Sequence, residues 1–286
     1  MFLLNFSDPI KFEPFILISV LTSAALVPIL LTKKKPPTFK KVKGMSLKDV
    51  YAASPFGMVS SFFYGTIQSA LFTLLAVYAA SMNFTIFQIS VVTFLLAISG
   101  AVSQWPIGKI SDMLDRRKVI IYSTFGAAFF ALCAILASRQ MYLPGELATN
   151  KTWFYLSLIL FSFCSLPMFS LILAHTNDFI PKEQFVAAGA SLQFTFGMGA
   201  MSGPFLCSIF MNIVGLNGFF VFIMFFHILI GLFGLYRNTI RKVIENPDSQ
   251  FVAMPSTITP VGIELSPSTE DIDEPKKTED TQVTNF

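Results

Sequence analysis

The chain has 286 residues, of which 53% are hydrophobic and 13% charged, and its mean hydropathy is +0.65. An ordinary soluble domain carries roughly 25% charged residues, so this composition excludes a single water-soluble globule. The net charge of +3 sums a basic middle and an acidic tail, and with no basic face interleaved with aromatic residues it gives no reason to expect a nucleic-acid partner.

From Phe12 to Arg237 the charged residues fall in short clusters separated by about twenty uncharged positions, the length a helix needs to cross roughly 30 Å of hydrocarbon at 1.5 Å per residue. The apolar runs predict seven transmembrane helices at about 13–32, 54–80, 86–107, 118–138, 152–175, 184–212 and 216–237. The first run follows Asp8, Lys11 and Glu13 and precedes a lysine cluster. A secretory signal peptide would carry its positive charge ahead of the apolar run, so this one reads as a membrane anchor with its N-terminus outside.

Cytoplasmic loops carry the excess of Lys and Arg. Lys33, Lys34, Lys35, Lys40, Lys41, Lys43 and Lys48 therefore place the loop after the first span inside, and the alternation continues to Arg237, Arg241 and Lys242 after the last span. The expected organisation is a first transmembrane helix in 1–32, a basic cytoplasmic linker in 33–53, a six-helix unit in 54–237 and a disordered cytoplasmic tail in 238–286. The tail is rich in Ser, Thr, Pro, Asp and Glu, and such a stretch cannot bury enough apolar surface to offset its ordering entropy. Cys133, Cys164 and Cys207 lie inside apolar spans and read as packing residues.

Three short strings stand out. The segment from Gln104-Trp105-Pro106 through Gly108, Asp112, Asp115, Arg116 and Arg117 to Lys118 joins the third and fourth spans. Its glycine suits a close approach and turn of two helices, and Asp112 suits a helix N-terminus, where a carboxylate is favoured. Ser54-Pro55-Phe56-Gly57 opens the second span, and Ala174-His175-Thr176-Asn177-Asp178 closes the fifth. The sixth span carries Gly199, Gly203 and Pro204, with the two glycines forming one smooth stripe and the proline permitting a bend.

The charged hairpin resembles the cytoplasmic-loop signature of the major facilitator superfamily, Gly-x-x-x-Asp-Arg-x-Gly-Arg-Arg, departing from it at Met113 and Asp115. The fuller string is similar to the YcaD-like branch of bacterial transporters, and the Gly199–Pro204 stretch resembles the Gly-Pro motif of the superfamily's helices 5 and 11. The resemblance implies an all-α membrane protein made of the C-terminal six-helix half of a major facilitator fold plus one preceding helix, corresponding to helices 6 to 12 of twelve. It further implies a multi-pass protein of the bacterial plasma (inner) membrane, with its N-terminus outside and C-terminus cytoplasmic. Its function would be transport of an unidentified small solute by alternating access, in a truncated or split transporter whose N-terminal half is a separately encoded partner. A gene remnant without transport is the alternative. A seven-helix receptor or retinal-type photoprotein is the rival from another class, and the last span has no Lys for a Schiff base.

The interior sharpens these expectations. No Asp, Glu, Lys or Arg falls in the middle of any span from 54 onward, so no carboxylate relay is expected here. Tyr64 and Gln68, four apart on one helix face, and Gln193 on the sixth span are the candidate substrate-lining residues. His227 reads as a packing residue. No arrangement resembles a nucleophile with its base, a metal cage or a phosphate loop, so no enzyme activity, cofactor or metal is expected, and the lipid bilayer is the one general partner.

Overall fold

A backbone in hydrocarbon has no water to bond, so each N–H and C=O must be satisfied within its own segment. A computed structural model describes residues 12–27, 44–140, 147–240 and 251–255. In it the apolar runs form α1 (Glu13–Ala25) and α3 (Pro55–Ser81), α4 (Ile86–Met113), α5 (Arg116–Gln140), α6 (Leu147–Ser165), α7 (Met168–Asn177), α8 (Phe185–Val214) and α9 (Gly218–Ile240), and the end of the expected linker forms a short helix, α2 (Leu47–Ala53). Six spans among the described residues are long and apolar enough to cross a membrane: α3, α4, α5, α6 together with α7, α8 and α9. Of the first expected span, α1 covers 13 residues, about 20 Å of helix, and residues 28–32 lie outside the described residues. Residues 33–43 of the expected linker, and 241–250 and 256–286 of the expected tail, also lie outside them.

The helix ends follow local chemistry. Ser46 and Asp49 form a capping box on α2, and Thr85 and Gln88 form one on α4; each pair satisfies two backbone N–H groups that the first turn leaves without helical partners. Ser54 caps α3 ahead of Pro55, whose missing N–H costs nothing at the first helical position. Between α8 and α9, Gly215 takes a φ of 84°, a left-handed conformation that a glycine adopts without steric penalty.

Two boundaries depart from the sequence expectation. Helix α4 runs on to Met113, so Gly108 sits inside the helix and the turn is confined to Leu114 and Asp115. The expected fifth span is broken at Leu166 and Pro167 into α6 and α7, because a proline supplies no N–H to the preceding turn and its ring crowds it. Tyr64 in α3 donates its hydroxyl to the Leu166 carbonyl at 3.3 Å, at that break.

Helix α3 lies chiefly along α8, with α9 also packed on it; α5 sits between α6 and α9, and α4 lies chiefly along α6. Serines cross-link α4 to α6, with Ser99 donating to the Ile159 carbonyl at 2.6 Å and Ser162 to the Leu96 carbonyl at 2.5 Å. Near one end of the bundle Tyr78, Phe154, Phe219 and Phe220 form an aromatic cluster. In the middle, His227 Nδ1 faces the Ile223 carbonyl at 2.8 Å, which only accepts, so Nε2 accepts from the Ser165 hydroxyl at 3.1 Å.

The α3–α8 seam is the tightest contact. A Cβ on Gly199 would fall inside the van der Waals radius of the Phe62 carbonyl oxygen, one on Gly203 would meet the Thr66 carbonyl, and one on Gly65 would meet the Phe196 carbonyl. Gly197, two residues from Gly199, has nothing within 4 Å. Gly199→Ala is therefore expected to destabilise the bundle by about 1–3 kcal/mol through overpacking, and Gly197→Ala to leave it unchanged or slightly firmer. Unfolding by SDS titration in mixed micelles checks the pair.

Candidate functional site

The three strings singled out in the sequence meet at one end of the bundle. Helix α3 begins with Ser54–Gly57, α7 ends with Ala174–Asn177, and the α4–α5 turn lies beside them. Gly57 lies where a Cβ would collide with Thr176 Oγ1; that hydroxyl bonds the Ile172 carbonyl at 2.9 Å and is 3.4 Å from Ser54 Oγ. The Phe56 ring meets His175 edge-on at 5.3 Å, and His175 in turn meets Phe179 at 5.0 Å.

Arg116 is the centre of this end. It is 3% exposed, and a buried guanidinium is stable only where acceptors surround it. Its Nη2 donates to Asp112 Oδ1 at 2.8 Å, four residues back across the turn, in the last turn of α4. Its Nη1 donates to Asp178 Oδ1 and lies 3.4 Å from the Ala174 carbonyl. The planar fork thus ties the end of α4, the start of α5 and the end of α7 together. Asp115 Oδ1 accepts the Arg117 N–H at 3.0 Å and caps the start of α5. Arg117 lines a small, half-open pocket with Ser54, Pro55, Phe56, His175, Phe179 and Arg237. Gly108 and Asp112 carry a contact that sequence reasoning did not foresee: residues 251–255 of the expected tail are seated here, with the Phe251 N–H donated to Asp112 Oδ1 at 2.8 Å.

The second group of predicted residues lies along the α3–α8 seam. Ser61 donates to the Leu192 carbonyl at 2.8 Å and Thr66 to the Gly199 carbonyl at 3.1 Å, so the two helices run parallel and in step. In that register Gln193 stands level with Phe62, and Gln68 about 9 Å further along, six residues on. The carboxamide oxygens of both glutamines are enclosed and have no hydrogen-bond partner among the described residues. Tyr64 is fully buried, with its hydroxyl engaged by Leu166, so its polar atom is turned to the helix break rather than left available with the two amides. Pro204 lies within α8 at the end of the glycine stripe.

The Asp178 partnership with Arg116 was not predicted, although the polar cluster closing the fifth span was. A pairing 62 residues apart in sequence has no local signature.

The chain is similar in sequence to known proteins. The family model described as Major Facilitator Superfamily matches residues 13–184 and again 57–267. The chain is 25% identical over 162 residues to the uncharacterized MFS-type transporter YfkF of Bacillus subtilis, covering 56% of this chain and 39% of that one. It is 23% identical over 186 residues to an uncharacterized MFS-type transporter of Yersinia enterocolitica, covering 65% of this chain and 43% of that one. The matched region thus spans about two-fifths of the length of these relatives. No solved structure matches.

Because removing one member of a buried ion pair leaves the other without its partner, Arg116→Ala is expected to lower stability by about 3–5 kcal/mol. Asp115→Asn keeps an acceptor for the Arg117 N–H and is expected to cost under about 1 kcal/mol. Thermal unfolding in detergent, monitored by tryptophan fluorescence, distinguishes the two.

Proposed function

The chain belongs to the major facilitator superfamily, and on that premise we propose that its six-helix unit is one wall of an alternating-access transporter for a small solute. A second helical half, on the same polypeptide or on another, supplies the facing wall. The observation that carries this reading is the pair of enclosed carboxamide oxygens on Gln68 and Gln193, which have no partner among the described residues. A buried acceptor left unbonded is costly, and a solute carrying hydroxyl or N–H donors would satisfy it. The two amides lie at different heights along the α3–α8 pair, which suits successive contacts along a path. Gly199 and Gly203 keep α8 close to α3 while Pro204 allows it to bend, and the Asp112–Arg116–Asp178 group ties the helix ends.

The charge of the connecting segments supports an orientation with the N-terminus outside and the α4–α5 turn and C-terminus in the cytoplasm of a bacterial cell. A fluorescent protein fused after Ile240 is expected to mature and fluoresce, whereas alkaline phosphatase at the same position is expected to stay inactive; the reverse result would invert the assignment.

The transport reading is tested in proteoliposomes loaded with the chain alone or with a co-expressed N-terminal half of a relative. A pool of small metabolites is presented and the lumen is read by mass spectrometry. Accumulation of a solute only with both halves present, reduced at least about tenfold by Gln68→Leu or Gln193→Leu at unchanged melting temperature, is the expected result. No accumulation in either preparation, across pools that positive-control transporters handle, favours a chain without transport activity.

A further inference from the structure

The end of the bundle that gathers the charged motifs also holds a short extended segment, Phe251–Pro255. Its ring and backbone are fitted to two different helices. The Phe251 ring rests directly on Gly108 of α4, so close that any Cβ there would overlap it. The Phe251 N–H is donated to Asp112 Oδ1 at 2.8 Å, one turn further along α4. Three residues on, Met254 is 6% exposed and joins the apolar core. The Met254 N–H is donated to Ser170 Oγ of α7 at 2.9 Å, and the Ser170 hydroxyl is donated back to the Met254 carbonyl at 2.8 Å. One serine side chain thus imitates a neighbouring strand, meeting both polar groups of one residue. Pro255, which has no N–H, then ends the run of backbone donors.

Each feature of the receiving surface has a matching demand in the segment: a missing side chain under an aromatic ring, a carboxylate opposite an N–H, and a hydroxyl that both gives and takes. Ser170 is 2% exposed and Gly108 is buried, so both lie under cover. We propose that Gly108, Asp112 and Ser170 form a peptide-docking groove and that Phe251–Pro255 is its occupant, an intramolecular latch bridging α4 and α7, the C-terminal piece of the broken span. The three hydrogen bonds and one buried side chain are set against the entropy of ordering five residues, so the latch is a reversible one. Asp112 Oδ1 receives both the Arg116 guanidinium and the Phe251 N–H, which couples latch occupancy to the ion-paired helix ends. The inference does not depend on any solute being carried.

The test uses the full chain in nanodiscs with Met254→Cys, and reads alkylation at that position by N-ethylmaleimide with mass spectrometry. A synthetic peptide of residues 249–257 bearing the same substitution supplies the undocked rate. In the full chain, reaction at least tenfold slower than in the peptide is expected. Ser170→Ala, which removes both bonds to Met254, and Gly108→Ala, which displaces the ring, are each expected to raise the rate at least fivefold. Phe251→Ala, a change in the tail itself that leaves the bundle's own packing intact, is expected to do the same. A rate in the full chain equal to that of the peptide overturns the proposal. Protection that persists unchanged in Phe251→Ala and in whichever bundle variants keep the parent melting temperature overturns it as well.

Discussion

The close approach of α3 and α8 is the constraint around which the other helices are arranged. Between helices in lipid there is no hydrophobic driving force, because the hydrocarbon is as apolar as the side chains, and association rests on close packing and hydrogen bonds. Gly65, Gly199 and Gly203 remove the atoms that would hold the backbones apart. Ser61 and Thr66 then fill the gap with hydroxyls bonded across to carbonyls. Once these two helices are in step, α9 packs on both, lies along α5, and carries phenylalanines that meet Tyr78 of α3, Phe210 of α8 and Phe154 of α6. The outer face of α8 stays open, with Phe194, Met198, Met201 and Phe205 exposed. An apolar surface of that size needs lipid or another apolar surface over it.

At the end where the charged motifs gather, a different logic operates. A buried guanidinium between two carboxylates is a poor source of net stability, since desolvation offsets much of the attraction. Its value here is geometric. The rigid fork of Arg116 reaches acceptors on three elements at once, and a lysine at that position would offer a single point charge in place of two directed edges. The short strings at the start of α3 and the end of α7 are complementary in the same sense: a glycine beside a threonine hydroxyl, and an aromatic edge against an imidazole.

Spans two to seven were legible because hydropathy and backbone satisfaction impose the same length, and their observed ends lie within a few residues of the predicted ones except at the end of α4 and the start of α6. In α4 the sequence misleads. Lys109 and Asp112 look like loop residues, but charged side chains at a membrane surface can leave the hydrocarbon on a continuing helix, which keeps Gly108 and Ser111 inside the bundle. The break at Leu166 and Pro167 was invisible to hydropathy because proline interrupts the hydrogen-bond ladder without interrupting the apolar run. Of the candidate site, the glycine stripe and Arg116 were readable from their types and spacing. Asp178 as the partner of Arg116, Leu166 as the acceptor for Tyr64, and the seating of Phe251 and Met254 were not, since each joins residues far apart in the chain. The composition of the tail averages over a few anchoring residues and conceals them.

The glycine pair also has a position along its helix that matters mechanically. Helix α8 runs from Phe185 to Val214, and Gly199 lies 14 residues from its start and 15 from its end, so the tightest contact with α3 divides the helix into lever arms of roughly 21 and 23 Å. A crossing at the midpoint makes the helix a balanced beam. Tilting it about that fulcrum by about ten degrees would move its two ends by roughly 4 Å in opposite directions, while the backbones at the crossing barely change their separation.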